Sequence, residues 1–190
     1  MEFTITVTGT QPLLVHNSRL ANPLDPIVKE IKKLTSKRTK TDDDHAEIAR
    51  LEFHGSLYLD PDIGPYLPGE NFQRCLLDAA RVNKLGKSLE RAVFIDTDVN
   101  PLAFPGPRTA DALWADESHR HMKSVKVGTS RTMRCRPVFQ QWKCQAHGIL
   151  DTALLNLDDL QSIAENAGTM IGLGDWRPRF GRFTAVIEKV

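Results

Sequence analysis

The most constraining feature of the sequence is a pattern of alternating side chains near its carboxyl end, followed by one helix and one further strand. Apolar and polar residues alternate over 142–150, with Ile149 as the one exception, as expected of a strand with one buried face. Apolar residues at helical spacing follow over 160–171, and alternation resumes at Phe183. Together with the strand-like segment 132–139, these elements have the order strand, strand, helix, strand.

The amino-terminal half of the chain offers a matching set of elements. Phe3, Ile5 and Val7 alternate with threonines, an amphipathic pattern over 71–81 predicts a helix, and 92–95 has the composition of a short strand. Strand, helix and strand in both halves predict an α+β fold of the ferredoxin-like (RRM-like) type, with an antiparallel sheet and helices on one face. No internal repeat is apparent. We expect a single domain over 1–190, since 41% of its residues are hydrophobic, as in ordinary globular chains.

Two insertions are expected in this domain. Residues 20–52 contain two short apolar patterns at helical spacing and predict a helical hairpin after the first strand. Residues 96–131 contain several prolines and little periodicity, and predict a loop or finger. The alternation over 53–59 is interpreted as a further strand, and 100–107, with three prolines, as loop.

A basic segment between residues 119 and 136 contains no acidic residue. Its cations are interrupted by Gly128-Thr129-Ser130 and comprise Arg120, Lys123, Lys126, Arg131, Arg134 and Arg136. The net charge of the chain is only +1, so any attraction of a polyanion must be local. The segment favours a mobile basic finger that neutralises several phosphates; the alternative is a solvated charged surface.

A Gly- and Arg-rich loop, residues 172–183, precedes the last predicted strand. Its glycines allow close backbone approach to a ligand. Its guanidinium and aromatic side chains suit phosphates and stacked bases, and the candidate contacts are Trp176, Arg177, Arg179 and Arg182. The alternative is a tight connection between a helix and a strand, and the phase of that strand places Phe183 in the core. We expect this loop and the basic segment to form the two sides of one groove.

Other constellations are less specific. Asp25, or the pair His119 and His121, could serve a metal-dependent ribonuclease, and Cys135 with Cys144 could complete a zinc site, although their spacing fits no usual zinc motif. We therefore expect no catalytic residue, no metal and no other cofactor. The start of the chain lacks a signal-peptide pattern, and no apolar run is long enough to span a membrane, which predicts a cytoplasmic location.

The order of several short segments resembles the RAMP superfamily, the RRM-like backbone subunits of CRISPR effector complexes, and small phage-encoded proteins of similar pattern. These segments are Pro12-Leu13-Leu14-Val15-His16-Asn17, then Asn22-Pro23-Leu24-Asp25-Pro26, then Gly64-Pro65-Tyr66-Leu67-Pro68-Gly69-Glu70-Asn71-Phe72, and finally the Gly-rich loop. The third is similar to the family's Y-I-P-G-S-S-L segment, which enters a helix. Together the segments span most of the chain.

The resemblance implies a ferredoxin-like palm that self-associates along RNA and contacts phosphates from the helix after Gly69 and from the Gly-rich loop. On that helix the implied phosphate contacts are Asn71, Gln73 and Arg74. Some RNA-cutting members carry a catalytic Asp just before the Asn-Pro pair, where this chain has Ala21. This departure indicates binding without cleavage.

These observations together predict a non-catalytic subunit that coats single-stranded RNA or DNA as a homo-oligomer or filament. It would act beside other subunits of a CRISPR effector complex, or as a phage mimic that interferes with such a complex. A metal-dependent ribonuclease of the same fold and a phage structural or assembly protein remain the alternatives.

Overall fold

The structure is a computed structural model that describes the whole chain, residues 1–190, except the side chains of Val127 and Ser130. It is a mixed α+β fold with antiparallel sheets. The strands are β1 (Glu2–Gly9), β2 (Leu13–Leu14), β3 (Leu59–Asp60), β4 (Gly64–Leu67), β5 (Val93–Ile95), β6 (Asn100–Ala103), β7 (Arg120–Val127), β8 (Ser130–Phe139), β9 (Lys143–Leu150) and β10 (Phe183–Lys189). The helices are α1 (Pro26–Thr35), α2 (Asp42–Ser56), α3 (Gly69–Val82), α4 (Gly86–Ala92), α5 (Ala110–Ala115) and α6 (Leu157–Asn166). None of these helices is long and apolar enough to cross a membrane.

The main sheet has β1 near its centre, between β10 and β9. Ile5 of β1 lies opposite Ile187 on one side and Ala146 on the other. The far edge of β9 is shared by β5, which pairs with its carboxyl half, and by β6, which pairs with its amino half. The sheet continues through β4 to β3. With β5 taken as the neighbour of β9, four strands have the spatial order β10, β1, β9, β5.

The core lies between one face of this sheet and helices α3 and α6. Phe3, Ile5 and Val7 are at most 1% exposed, and Phe72 of α3 and Leu160 of α6 are buried with them. Burial of a side chain of this size contributes about 1.5–3 kcal/mol. The alternation in β1 and β9 thus arises because one sheet face packs against helices while the other meets solvent.

Most predicted elements are confirmed, but the prediction of a strand over 53–59 is wrong. A capping box starts α2 at Thr41, whose hydroxyl accepts a hydrogen bond from the backbone N–H of Asp44 at 3.2 Å, and the helix continues to Ser56 because Phe53 is buried in the core. The prediction of loop at 100–107 is wrong for β6, which pairs with both β4 and β9.

A smaller sheet carries the inserted elements. It has the order β2, β8, β7, and β7 and β8 form a hairpin closed by Gly128 and Thr129. The segment predicted as a loop or finger over 96–131 therefore contains β6, α5 and β7, and the basic finger is a β-hairpin. Helices α1 and α2 form the predicted helical hairpin, and α2 packs against β8.

Two glutamines form a local repeat that is not apparent in the sequence. Gln73 is the fifth residue of α3, and Gln161 is the fifth residue of α6. The Gln73 amide donates to the carbonyl of Val93 and accepts from the N–H of Ile95, both at 3.0 Å. Gln161 makes the same pair of bonds with β10, at 3.0 and 2.9 Å. Each helix therefore covers the outer edge of the strand that ends its half of the fold.

Candidate functional site

The Gly-rich loop, residues 172–182, is fixed to the edge of the smaller sheet. The backbone N–H of Asp175 donates to the carbonyl of Leu14 at 2.7 Å, and the N–H of Gly181 donates to the carbonyl of Pro12 at 2.8 Å. Gly174 and Gly181 have φ angles of +76° and +72°. A Cβ atom at either would collide with a backbone carbonyl oxygen, so glycine is required at both positions.

An aromatic cluster joins this loop to the basic hairpin. Trp176 and Phe180 lie almost parallel, 12° apart with ring centroids at 6.1 Å. The ring of His121, on β7, meets both at 5.9 and 5.1 Å in edge geometry. Trp176 has a φ of +56° and remains 37% exposed, a conformation that costs a non-glycine residue about 1–3 kcal/mol. The loop thus holds the indole ring of Trp176 at the surface in an unfavourable backbone conformation.

A second contact between the two segments is electrostatic. The guanidinium of Arg136, on β8, forms an ion pair with the carboxylate of Asp175 in the loop. Beside this pair lies a cleft of about 660 Å³ between the hairpin, helix α1 and the loop. Its lining residues include His16, Ser56, Lys126, Arg134, Arg136 and Trp176. The two segments predicted to form opposite sides of a groove therefore meet at one cleft.

The cleft is partly neutralised from within. Arg134 is ion-paired with Glu52 of α2, a carboxylate that is only 5% exposed and also accepts the backbone N–H of Cys135 at 3.1 Å. Arg136 is paired with Asp175, as described above. Lys126 has no ion pair with any side chain that the structure describes. The lining residues thus include three cations and two carboxylates, which leaves a net positive charge.

Burial is the main cause of lowered pKa values at two histidines near the cleft, and neighbouring cations add to it. Burial lowers the pKa of His16 below its usual value of 6.5, and Arg136 lowers it further. Burial also lowers the pKa of His121, with further lowering by Lys123, Arg136 and Arg179. Cations on β7, β8 and the Gly-rich loop therefore act on the same neighbourhood. Burial favours the neutral form of both imidazoles.

The other predicted cations of the hairpin differ in their surroundings. Arg120 is paired with Glu117 at 2.8 Å and lies 4.8 Å from the ring of Trp114, so its charge serves local structure. Lys123 and Arg131 are exposed, and no ion pair involves either among the described residues. Lys123 lies opposite Arg134, and Lys126 opposite Arg131. The outer hairpin therefore presents uncompensated positive charge.

The arginines of the Gly-rich loop point to two neighbourhoods. Arg177 lies 4.0 Å from Asp78 on α3 and 3.5 Å from the carbonyl of Gly172. Arg179 is exposed and near enough to His121 to lower its pKa. Arg182 is exposed, and its Nε donates to the carbonyl of Pro178 at 2.9 Å. Of the three, Arg179 is the one placed to act together with the hairpin.

The phosphate contacts implied on α3 lie apart from the cleft lining. Both polar atoms of the Gln73 amide are engaged with β5, so its structural role is edge covering. Arg74 is exposed and paired with Asp78 at 3.0 Å, which connects it to Arg177 through a shared carboxylate. Asn71 is half-buried at the start of the helix. Only Arg74 therefore keeps a charge that could reach a phosphate.

The residues considered for a metal-dependent enzyme have other partners. Asp25 caps α1 and is paired with Arg19 at 2.8 Å. His119 is buried, and its Nδ1 lies 3.0 Å from the carbonyl of Val138. Burial raises the pKa of the Cys135 thiol to about 11. Among the described residues, no three His, Cys, Asp or Glu side chains form a group that could hold a metal ion.

Three residues of the cleft were not identified from the sequence. His16 lies in the segment Pro12-Leu13-Leu14-Val15-His16-Asn17, in which no residue was assigned a role, and Glu52 falls in a stretch whose helix was predicted too short. Asp175 is the acidic residue between a glycine and an aromatic in the loop, and that position was the one available signal. Each of the three is charged or titratable, and all line the cleft.

No protein-family model matches the chain, and no curated protein shows significant similarity to it. The functional interpretation therefore depends on the geometry of the cleft.

Proposed function

We propose that this chain is a non-catalytic nucleic-acid-binding subunit that holds single-stranded RNA or DNA in the cleft between the basic hairpin and the Gly-rich loop. The observation that carries the proposal is the convergence of these two segments through the Arg136–Asp175 ion pair and the contacts of His121 with Trp176 and Phe180. The hairpin contributes Lys126 and Arg136 to the cleft, and the loop contributes the exposed ring of Trp176.

The chemistry of the cleft suits a single strand. An exposed indole offers a stacking surface to any base, worth about 1–3 kcal/mol per base, and Trp176 lines the cleft beside Lys126 and Arg136. Guanidinium and ammonium groups on the adjoining hairpin match a phosphate backbone in charge. A duplex conceals its base faces, so stacking on Trp176 favours an unpaired strand.

The strand order supports the finer part of the proposal, a ferredoxin-like palm of RAMP type. The order β10, β1, β9, β5, with α3 and α6 on one face, corresponds to a split βαβ unit repeated twice. The helical hairpin α1–α2 then corresponds to an inserted arm that folds over the bound strand, and it borders the cleft through Val28 and Ile31. Assembly as a homo-oligomer along the strand is the corresponding expectation for the whole subunit.

Fluorescence anisotropy with a labelled single-stranded RNA, and the same sequence as DNA and as duplex, tests the proposal. Trp176→Ala should weaken binding roughly 5- to 150-fold, and Lys126→Glu should weaken it and reduce its salt dependence. Lys87→Glu on α4, which does not line the cleft, is the matched charge-reversal control. Wild-type protein that is folded but does not bind at low salt would refute the proposal.

The same titrations separate the alternatives. Loss of intact RNA in the presence of divalent metal would favour a ribonuclease over a binding subunit. Oligomers that form on size-exclusion columns without nucleic acid, by protein that does not bind RNA or DNA, would favour a structural or assembly protein. Assembly that depends on RNA length would favour a backbone subunit of a CRISPR effector complex, or a phage mimic of one.

A further inference from the structure

The edges of the two sheets are treated very differently. Gln161 covers the outer edge of β10, and Gln73 covers that of β5. The Gly-rich loop covers β2 through its bonds to Leu14 and Pro12. Unpaired strand edges attract other chains, and proteins cover them for that reason. The outer edges of β10, β5 and β2 are therefore each covered by a glutamine side chain or by the Gly-rich loop.

The outer edge of β7 has no such cover. β7 is the last strand of its sheet and pairs only with β8. No hydrogen bond reaches the backbone of residues 121–127 from elsewhere in the part of the chain that the structure describes. Among the described residues, the outer edge of β7 is therefore open along a strand of eight residues.

The hairpin geometry shows which groups face outward. Val127 and Ser130 pair across a two-residue turn, and the residues that flank such a turn exchange hydrogen bonds with each other. Pairs with and without hydrogen bonds alternate along an antiparallel ladder. Ser124, three residues before Val127, is therefore in a pair without hydrogen bonds, and its N–H and C=O point away from β8. Met122 and Lys126 share that phase.

Charge determines what can pair with this edge. Lys123 and Lys126 of β7 lie opposite Arg134 and Arg131 of β8, so a second copy of the hairpin would bring like charges together. Like charges across a strand pair are destabilising, whereas opposite charges stabilise it. Met122, 49% exposed on the same strand, adds an adaptable apolar contact. The edge therefore repels a second copy of itself and suits an acidic strand.

We propose that the outer edge of β7 is a docking site for an extended acidic peptide segment of a partner protein, which adds as a further strand beside β7. The peptide backbone would bond to the outward groups of Met122, Ser124 and Lys126, and its carboxylates would pair with Lys126 and Arg131, which share one face of the sheet. Main-chain bonds then supply affinity and the alternating side chains supply selectivity. This site shares Lys126 with the cleft, whereas Lys123 and Arg131 do not line the cleft.

A fluorescein-labelled ten-residue peptide that alternates glutamate with valine is the probe, measured by anisotropy at low salt. Ser124→Pro removes the outward N–H without removing a bond to β8, and proline is tolerated at such edge positions. Ser124→Ala keeps the N–H and is the matched control. We expect the proline variant to bind the peptide at least about tenfold more weakly, and the alanine variant to bind within about twofold of wild type.

A second arm changes the probe and leaves the protein intact. The same peptide methylated on every backbone nitrogen should lose binding, as should a version with lysine for glutamate. If the methylated peptide binds as well as the parent, the contact is charge alone and strand addition is wrong. If Ser124→Pro weakens RNA binding and not peptide binding, the edge serves nucleic acid. Should the proline variant fail to fold, the methylated peptide still decides the question.

Discussion

Replacing Asp175 by asparagine should strengthen nucleic-acid binding, because its carboxylate now neutralises Arg136 at the cleft. The substitution keeps the size of the side chain and leaves the bond from the backbone of residue 175 to the carbonyl of Leu14 in place. The cost in stability should be about 1–3 kcal/mol, since both side chains of the ion pair are mostly buried.

The magnitude of this effect can be estimated from the charges that line the cleft and from Coulomb's law. Three cations and two carboxylates line the cleft, so the substitution raises its net charge from one to two. Each additional phosphate neutralised on a single strand steepens the dependence of log K on log salt by about 0.7. A carboxylate about 8 Å from a phosphate, at an effective dielectric constant of about 40, repels it by about 1 kcal/mol, or about fivefold in Kd.

The assay is anisotropy with labelled single-stranded RNA at salt concentrations from about 50 to about 200 mM. Over this range the affinity of the variant should fall about 2.6 times further than that of wild type. Asp175 raises the pKa of His16, so NMR titration should also show a lower His16 pKa in the free variant. If that pKa falls while affinity and salt slope stay unchanged, bound phosphates do not lie near Asp175, and the cleft is not the binding site.

Three further outcomes follow from the structure. Gln161→Ala leaves the carbonyl of Ala185 and the N–H of Ile187 on β10 without their partner. It should lower the free energy of unfolding, measured by urea titration, by about 1–3 kcal/mol. An unchanged midpoint would show that water replaces the amide. Gly181→Ala forces a Cβ against the carbonyl of Leu173 at a positive φ and should cost more than about 1 kcal/mol by the same measurement; wild-type stability would refute the assigned loop conformation. Burial and neighbouring cations hold the pKa values of His16 and His121 below 6.5 in the folded state. Because the unfolded chain then binds more protons, the free energy of unfolding should decrease as pH falls from about 6.5 through the folded-state pKa values. A urea midpoint that rises between pH 7 and 5.5 would contradict this sign.

The strands of the main sheet and its two main helices could be predicted because each of them packs against a single layer and so buries one face. Alternation in β9 and β10 reflects one buried face, and the period of α3 reflects the sheet beneath it. The hairpin β7–β8 could not be predicted in the same way, because α2 and the Gly-rich loop contact only parts of it. His121 and Met122 are consecutive and partly exposed on opposite faces, so its polar and apolar residues show no simple alternation.

Three cations that line the cleft, Lys126, Arg134 and Arg136, were among the residues singled out from the sequence. Its two carboxylates, Glu52 and Asp175, were not. A run of basic residues without an acid is visible in a sequence, and so is a loop rich in glycine, arginine and aromatics. The pairing of Arg134 with Glu52 joins residues 82 positions apart, and local patterns carry no information on such distant contacts. The sequence therefore overstated the free charge of the hairpin and did not reveal that two of the three cations in the cleft are paired with carboxylates.

The matched glutamines Gln73 and Gln161 also bear on how such a molecule could have arisen. Two halves that solve the same edge problem with the same side chain at the same helical position have the form of a duplicated unit whose other similarities have been lost. In the first half a helical hairpin separates strand from helix, and a β-hairpin separates the two halves. The residues proposed to bind nucleic acid or peptide lie on these additions and on the loop before β10. The duplicated unit would then be the old scaffold, and the binding surfaces the later acquisitions.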